Sequence, residues 1–353
     1  MERRHSALDV INLRSDTQTL PTPEMMEAVA AAQLGDDTYD EDPTVRALEE
    51  EAARLLGKEA AVLCISGNMA NLACLMAHAA PGDEVFLDPE SHIYYYEVGG
   101  LANIAGLMPM PVPCPSGRMD PGDLRRAVRR PNLHYPVPKL LCLENTHNRA
   151  GGTVTPLDLH NALCDTAHDL GLTVHLDGAR IFNAAIAAGV PASAFAEKAD
   201  SVMFCLSKGL SCPLGSIAVG SREVIERVDR ARKRLGGGMR QAGIIAACGL
   251  VALRTMVDRL ADDHANARLL ADGLTAVPGL RVDLATVETN MVYVDHRDAY
   301  PDTGAVLARM KAVGVLASGR PPHHIRFVTH RHYGPDDIRE AVERVRTALR
   351  ADG

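Results

Sequence analysis

The chain has 353 residues, 46% of them hydrophobic, and a formal net charge of -8, enough apolar material for a large buried core and long enough for one large domain with a smaller companion. The acidic balance, without a basic stripe carrying interleaved aromatics, speaks against a nucleic-acid surface. No apolar run approaches membrane-spanning length and the N-terminal MERRHSALDV lacks the apolar core of a signal peptide, so a cytoplasmic protein with no membrane partner is expected.

Residues 9–19 carry a polar cluster, Arg14-Ser15-Asp16-Thr17, on what is most simply a surface arm. A helix is predicted from Pro23, capped by Thr22. An acidic loop over 35–42 contains Tyr39, an aromatic among acids beside the capped helix over 43–56; such a loop is either a solvated connection or the edge of a site. The strand predicted over 60–65 turns through Ser66-Gly67-Asn68 into a helix reaching about residue 80. A small-residue turn at a helix start exposes backbone N–H groups and the positive dipole end, which suits phosphate.

A strand over 83–87 leads to Ser91-His92-Ile93, where His92 could stack on a planar cofactor, act as a base, or simply be satisfied by hydrogen bonds. Tyr94, Tyr95 and Tyr96 follow, in a chain only 4% aromatic; substrate contact and subunit contact explain them equally. A strand over 107–112, a helix over 121–130 and the segment containing His134 come next. The strand over 139–143 ends in Glu144-Asn145-Thr146-His147-Asn148, and polar residues beyond a buried strand's end are where an open α/β sheet binds ligands.

After a helix over 156–170, the apolar run 172–176 ends in Asp177, followed by a small-residue turn and Arg180. The apolar run 201–206 ends in Ser207-Lys208-Gly209, before a short strand over 216–219. A lysine at the end of a buried run either snorkels to solvent or becomes an amine nucleophile. A strand-end carboxylate upstream of it is what a pyridoxal 5'-phosphate (PLP) site needs, although such residues also cap helices.

The helix over 222–234 carries Arg230, Arg232, Lys233 and Arg234, most simply a solvated face. Gly236-Gly237-Gly238 and Arg240 precede an apolar helix over 242–256. A long helix over 258–274 leads to strands over 281–284, 290–294 and 325–328 and helices over 303–313 and 335–349, a small α+β domain. Its Arg326 lies inside an apolar strand and needs an anion, either a substrate carboxylate or a core glutamate. The predicted division is an N-terminal arm with the first helix (1–30), a large α/β domain with a mostly parallel sheet (31–255) and the small domain (256–353). Eight scattered cysteines, without a CxxC pair, read as reduced core cysteines with no metal set or disulfide framework.

Taken together, Asn12-Leu13-Arg14-Ser15-Asp16-Thr17, Gly35-Asp36-Asp37-Thr38-Tyr39, Ser66-Gly67-Asn68-Met69, His92-Ile93, Glu144-Asn145-Thr146-His147-Asn148, Asp177-Gly178-Ala179-Arg180, Ser207-Lys208-Gly209-Leu210 and Gly236-Gly237-Gly238-Met239-Arg240-Gln241 stand in the order found in low-specificity L-threonine aldolases. The chain resembles that family along nearly its whole length. The resemblance implies the PLP-dependent transferase-like fold of the aspartate aminotransferase superfamily, and a homodimer or homotetramer that builds its active sites jointly. It implies Lys208 as the Schiff-base lysine and Asp177 as partner of the pyridinium nitrogen. Gly67 and Asn68 would bind phosphate, with Arg240 from a second subunit. Arg180, Arg326 and Ser15 would hold the substrate carboxylate and Tyr39 would line the pocket. His92 would stack on the ring and, with His134, sit near the β-hydroxyl. The family usually has Thr where Asn68 stands, which exchanges a hydroxyl donor for an amide.

The activity so implied is cleavage of L-threonine or L-allo-threonine to glycine and acetaldehyde, with tolerance for larger β-hydroxy amino acids. Two alternatives keep the cofactor, a β-eliminating lyase and an aldolase specialised for aryl or acidic substrates. A non-catalytic binding protein on the same fold is the alternative of another class. A nicotinamide enzyme is disfavoured because the turn after residue 65 has one glycine where the dinucleotide fingerprint needs several.

Overall fold

A computed structural model describes residues 10–300, 302–320 and 322–350. In chain order the strands among the described residues are β1 (Ile11–Asn12), β2 (Ala60–Cys64), β3 (Glu84–Leu87), β4 (Met108–Pro111), β5 (Pro138–Glu144), β6 (Thr173–Asp177), β7 (Ser201–Cys205), β8 (Ser216–Gly220), β9 (Met291–Asp295), β10 (Val315–Leu316), β11 (Ser318–Arg320) and β12 (His324–Val328). The described residues form two compact units, a large one over Leu20–Val257 and a small one from the described residues before Leu20 together with those from Asp258 on.

In the large unit seven strands form one sheet in the order β2-β8-β7-β6-β5-β3-β4. Neighbours from β7 through β4 are parallel, and only β8 runs against its neighbours. β3, β7 and β8 are buried along their whole length, as expected of strands covered on both faces. The helices start where local chemistry directs. Thr22 caps Pro23–Ala31 by accepting from the Met25 N–H, and Asp42 caps Pro43–Leu56 by accepting from Thr44 and Val45, each with proline in the first turn. Ser66 caps Gly67–His78 through the Met69 N–H. Arg232 departs from the solvated-face expectation: it is buried, donates to the Leu63 carbonyl at 2.8 Å and pairs with Asp37 and Asp229.

In the small unit β11, β12 and β9 form an antiparallel sheet. Helices Leu260–Thr275, Thr303–Ala312 and Pro335–Arg350 cover a core that includes Leu270, Val292, Val294, Phe327 and Val345. The segment through Ile11 and Leu13 belongs to this unit: β1 pairs with β10, Ile11 and Leu13 donate to Gly314 and Leu316, and both side chains are buried. The helix Pro23–Ala31, expected with this segment, belongs to the large unit. The strand expected over 281–284 is reduced to one bridge, Arg281 with Asp295. Asp283 instead accepts from the Ala285 N–H and caps a single 3-10 turn, Leu284–Thr286, the local bond by which aspartate competes with a ladder.

Candidate active site

The C-terminal ends of β5, β6 and β7 lie side by side, Glu144 in register with Asp177 and Asp177 with Met203. β6 is buried on both faces from Val174 on, so its last residue lies in the interior, and Asp177 is 2% exposed. Its Oδ2 accepts from Asn71 Nδ2 at 2.9 Å and its Oδ1 from the Ala179 N–H at 3.0 Å. Burial alone would raise its pKa. The nearby His92 and Lys208 charges and these two donors outweigh burial and hold it below the usual carboxylate range.

His92 opens the short helix His92–Tyr95. Its backbone N–H donates to Glu144 Oε2 at 2.6 Å, and Glu144 Oε1 accepts from Asn148 at 2.8 Å. A strand-end carboxylate therefore supplies the cap that Ser91 does not. The His92 Nδ1–H donates to Glu97 Oε1 at 2.9 Å, leaving Nε2 for a proton or a ligand. Burial would lower the His92 pKa, but the Glu97 bond and the Asp177 charge raise it. The buried Glu97 carboxyl is itself pushed up, by burial first and by Asp177 next.

Lys208 follows β7 in a loop tied at several points: Ser211 donates to the Lys208 carbonyl at 2.9 Å, Cys212 to Leu206, and Leu206 to Gly215. Its charge acts on both His92 and Asp177. Gly67 and Asn68 are the first two residues of the helix Gly67–His78, and their N–H groups donate to nothing among the described residues. A Cβ at Gly67 would meet Cys205 Sγ at 3.0 Å, so glycine lets the helix start press against β7. Arg180, buried, precedes the helix Ile181–Ala188. The large unit thus brings Lys208, Asp177 and His92 together.

The other expected residues lie elsewhere. Ser15 and Arg326 belong to the small unit. Arg326 is buried there and donates through Nη2 to the Arg14 carbonyl at 3.0 Å, next to Ser15 in the chain. Ser15 accepts from Thr17. Tyr39 and Arg240 sit on two exposed loops of the large unit joined by Asp37 N–H to the Arg240 carbonyl and by Arg240 to Asp36. His134 occupies an exposed loop before β5, and among the described residues only its backbone N–H is bonded, to Asn132. Among the described residues these three side chains make no hydrogen bond or ion pair with the Asp177 group.

Three members of the cluster escaped the reading of motifs: Glu97, Asn71 and, one layer behind, His175. Each had a signal, as a polar residue at an otherwise apolar position, Asn71 on the helix face of Cys74 and His175 within an apolar strand. Periodicity reports such residues only as exceptions.

The Beta-eliminating lyase family model matches residues 12–297. The chain is 44% identical over 339 residues to the probable low-specificity L-threonine aldolase 2 of Arabidopsis thaliana, covering 94% of this chain and 95% of that one. It is 40% identical over 341 residues to the low specificity L-threonine aldolase of Escherichia coli K12, covering 96% and 99%. A threonine aldolase structure from Leishmania major superposes with a TM-score of 0.83 at 18% identity, covering 96% and 99%, a likeness of fold. The family match and the full-length identities therefore make the chain a member of the Beta-eliminating lyase family, and within it the chain belongs to the low-specificity L-threonine aldolases.

Proposed function

We propose that the chain cleaves L-threonine, L-allo-threonine and related β-hydroxy-α-amino acids between Cα and Cβ, giving glycine and an aldehyde, with PLP bound at the Lys208–Asp177 site. The observation that carries this reading is a buried, anionic Asp177 within the electrostatic reach of Lys208 beyond the ends of parallel strands. The residues fit the cofactor. Asp177 keeps acceptor capacity for a protonated ring nitrogen, the Gly67 and Asn68 N–H groups suit a phosphate, and the missing Gly67 Cβ seats that helix start close to the sheet.

When bound, PLP supplies the electron sink for the pair released as the Cα–Cβ bond breaks. Lys208 provides the amine for its attachment and Asp177 the negative charge that keeps its ring nitrogen protonated. We assign the substrate carboxylate to Arg180, whose grip fixes which Cα bond is cleaved, and keep Ser15 and Arg326 of the small unit as further candidates, which the Arg326 bond to the Arg14 carbonyl supports. His92, its Nδ1–H committed to Glu97, takes the β-hydroxyl proton at Nε2, directly or through water, while Cα regains a proton to form glycine. We assign this proton to His92 in preference to His134 because His92 is oriented and His134 is not. The exposed Arg240 and Tyr39 support a homodimer or homotetramer in which one copy completes another's phosphate and substrate sites. The free cysteines, seven of the eight buried, support a reducing, cytoplasmic setting.

The test is incubation of the PLP-loaded protein with L-threonine and L-allo-threonine, assaying acetaldehyde, glycine, keto acid and ammonia together. Equal yields of acetaldehyde and glycine are expected. A keto acid with ammonia would replace the aldolase reading by β-elimination, and no turnover of these or of larger β-hydroxy amino acids would refute both.

A further inference from the structure

Behind Asp177 four buried polar side chains run in single file into the large unit. Asn71 Nδ2 donates to Asp177 Oδ2 at 2.9 Å and to Glu97 Oε1 at 2.8 Å. Asn71 Oδ1 lies 3.0 Å from His175 Nε2, His175 Nδ1 lies 2.8 Å from Ser201 Oγ, and Ser201 Oγ lies 2.8 Å from His78 Nε2. The fold builds this file from two sources. Asn71 and His78 are seven positions apart on one face of the helix Gly67–His78, while His175 and Ser201 are partners in the β6–β7 register. Asn71, His175 and Ser201 are each 1% exposed or less.

The direction of every bond follows from Asp177. Both Nδ2 hydrogens of Asn71 face carboxylates, so its Oδ1 accepts and His175 must carry its proton on Nε2. Burial pushes the His175 pKa down to about 3 and that of His78 to about 4, so both rings are neutral. His175 Nδ1 then accepts from the Ser201 hydroxyl, whose oxygen accepts from His78 Nε2–H. A flipped Asn71 amide would set its oxygen against two carboxylates and its NH2 against the His175 N–H. His92, Glu97 and Asp177 each present one ligand atom, all within 4.8 Å of one another, as a cation would require. The Asn71 amide supplies the positive hydrogens between the two carboxylates.

Building on the cofactor reading above, we propose that Asn71 and His175 are positioning residues for PLP. His175 locks the Asn71 amide in one orientation, and the amide keeps Asp177 anionic and in place for the ring nitrogen. Besides His175, the titratable groups whose charge couples to Asp177 are Cys74, His92, Glu97, Cys142, His147 and Lys208. Each is retained in the variants below, so a change in the acid dependence reports on the amide.

The test is PLP affinity of the apoprotein against pH by equilibrium dialysis, for wild type, Asn71→Leu, His175→Phe and His175→Gln, with ring-nitrogen NMR of the wild-type histidines. In Asn71→Leu the fall in affinity on acidification should move up by about 1 to 2 pH units, the shift that losing one charge-assisted hydrogen bond carries. His175→Phe should move it in the same direction, and His175→Gln, which can offer an N–H to Asn71 Oδ1, should move it back. His175 and His78 should both show the neutral Nε2–H tautomer at pH 6. An unmoved acid limb in a folded Asn71→Leu protein, or an Nδ1–H tautomer at His175, would overturn the proposal. Should Asn71→Leu not fold, the His175 pair and the tautomers decide it in the same way. Wild-type protein that binds no PLP would instead overturn the cofactor reading itself.

Discussion

Replacing Glu97 by glutamine removes one charge from the group that holds His92 and leaves nearly the same shape. Glu97 Oε1 stands 2.9 Å from His92 Nδ1, and their side chains are 5% and 30% exposed. Two unit charges at that separation interact by about 6 kcal/mol at an effective dielectric of 20, an upper bound here because the imidazole is partly open to water. Glutamine keeps an acceptor for Nδ1–H, so the expected fall in the His92 pKa is about 1 to 2 units, within the range for an adjacent opposite charge. The sign follows. His92 has a raised pKa in the native protein and must be neutral to accept the β-hydroxyl proton, so kcat/KM rises as pH passes through that pKa. In Glu97→Gln the acid limb of log kcat/KM should therefore move to lower pH by about 1 to 2 units, while the plateau falls because the base is weaker. The assay is acetaldehyde release from L-threonine between pH 5 and 9, with saturating PLP. An acid limb that stays in place would refute the assignment of His92, held by Glu97, as the proton acceptor.

Lys208→Ala should abolish turnover while retaining some PLP through its phosphate, and residual aldol cleavage in that protein would remove the lysine from the mechanism. Arg326→Leu should raise KM for L-threonine at least about tenfold with a smaller change in kcat, as loss of a charged hydrogen bond worth about 1.5–3 kcal/mol predicts; an unchanged KM counts against a carboxylate contact. His78, His160 and His175 have pKa values pushed down by burial to about 4, 4 and 3. Their neutral forms stabilise the fold fully above the unfolded histidine value near 6.5, and that stability is lost as pH falls. Each should cost about 2 kcal/mol at pH 5 relative to pH 8, visible as a falling thermal midpoint that becomes shallower in a folded His160→Gln protein.

Most elements, and the strand ends at Asp177 and before Lys208, were legible in the sequence because local chemistry decides them. Proline after Thr22 and Asp42 starts helices in any context, and an apolar run that stops at Asp177 or just before Lys208 marks a strand end without reference to any other strand. Position 281 went the other way for an equally local reason, the Asp283 turn, which outweighed a weak alternation. What only the tertiary structure decided were pairings between residues far apart in the chain. β1 finds β10 more than three hundred positions away because Ile11 and Leu13 bury themselves in the small unit's core. β8 turns against its neighbours, which no pattern within β8 records. Asn71 meets Glu97 and Asp177 because a helix face, the end of β6 and the bend after the short helix His92–Tyr95 converge on one point. Sequence periodicity describes one element at a time, whereas the charge state of Asp177 depends on donors brought from several, and these become neighbours only when the sheet and its covering helices have packed.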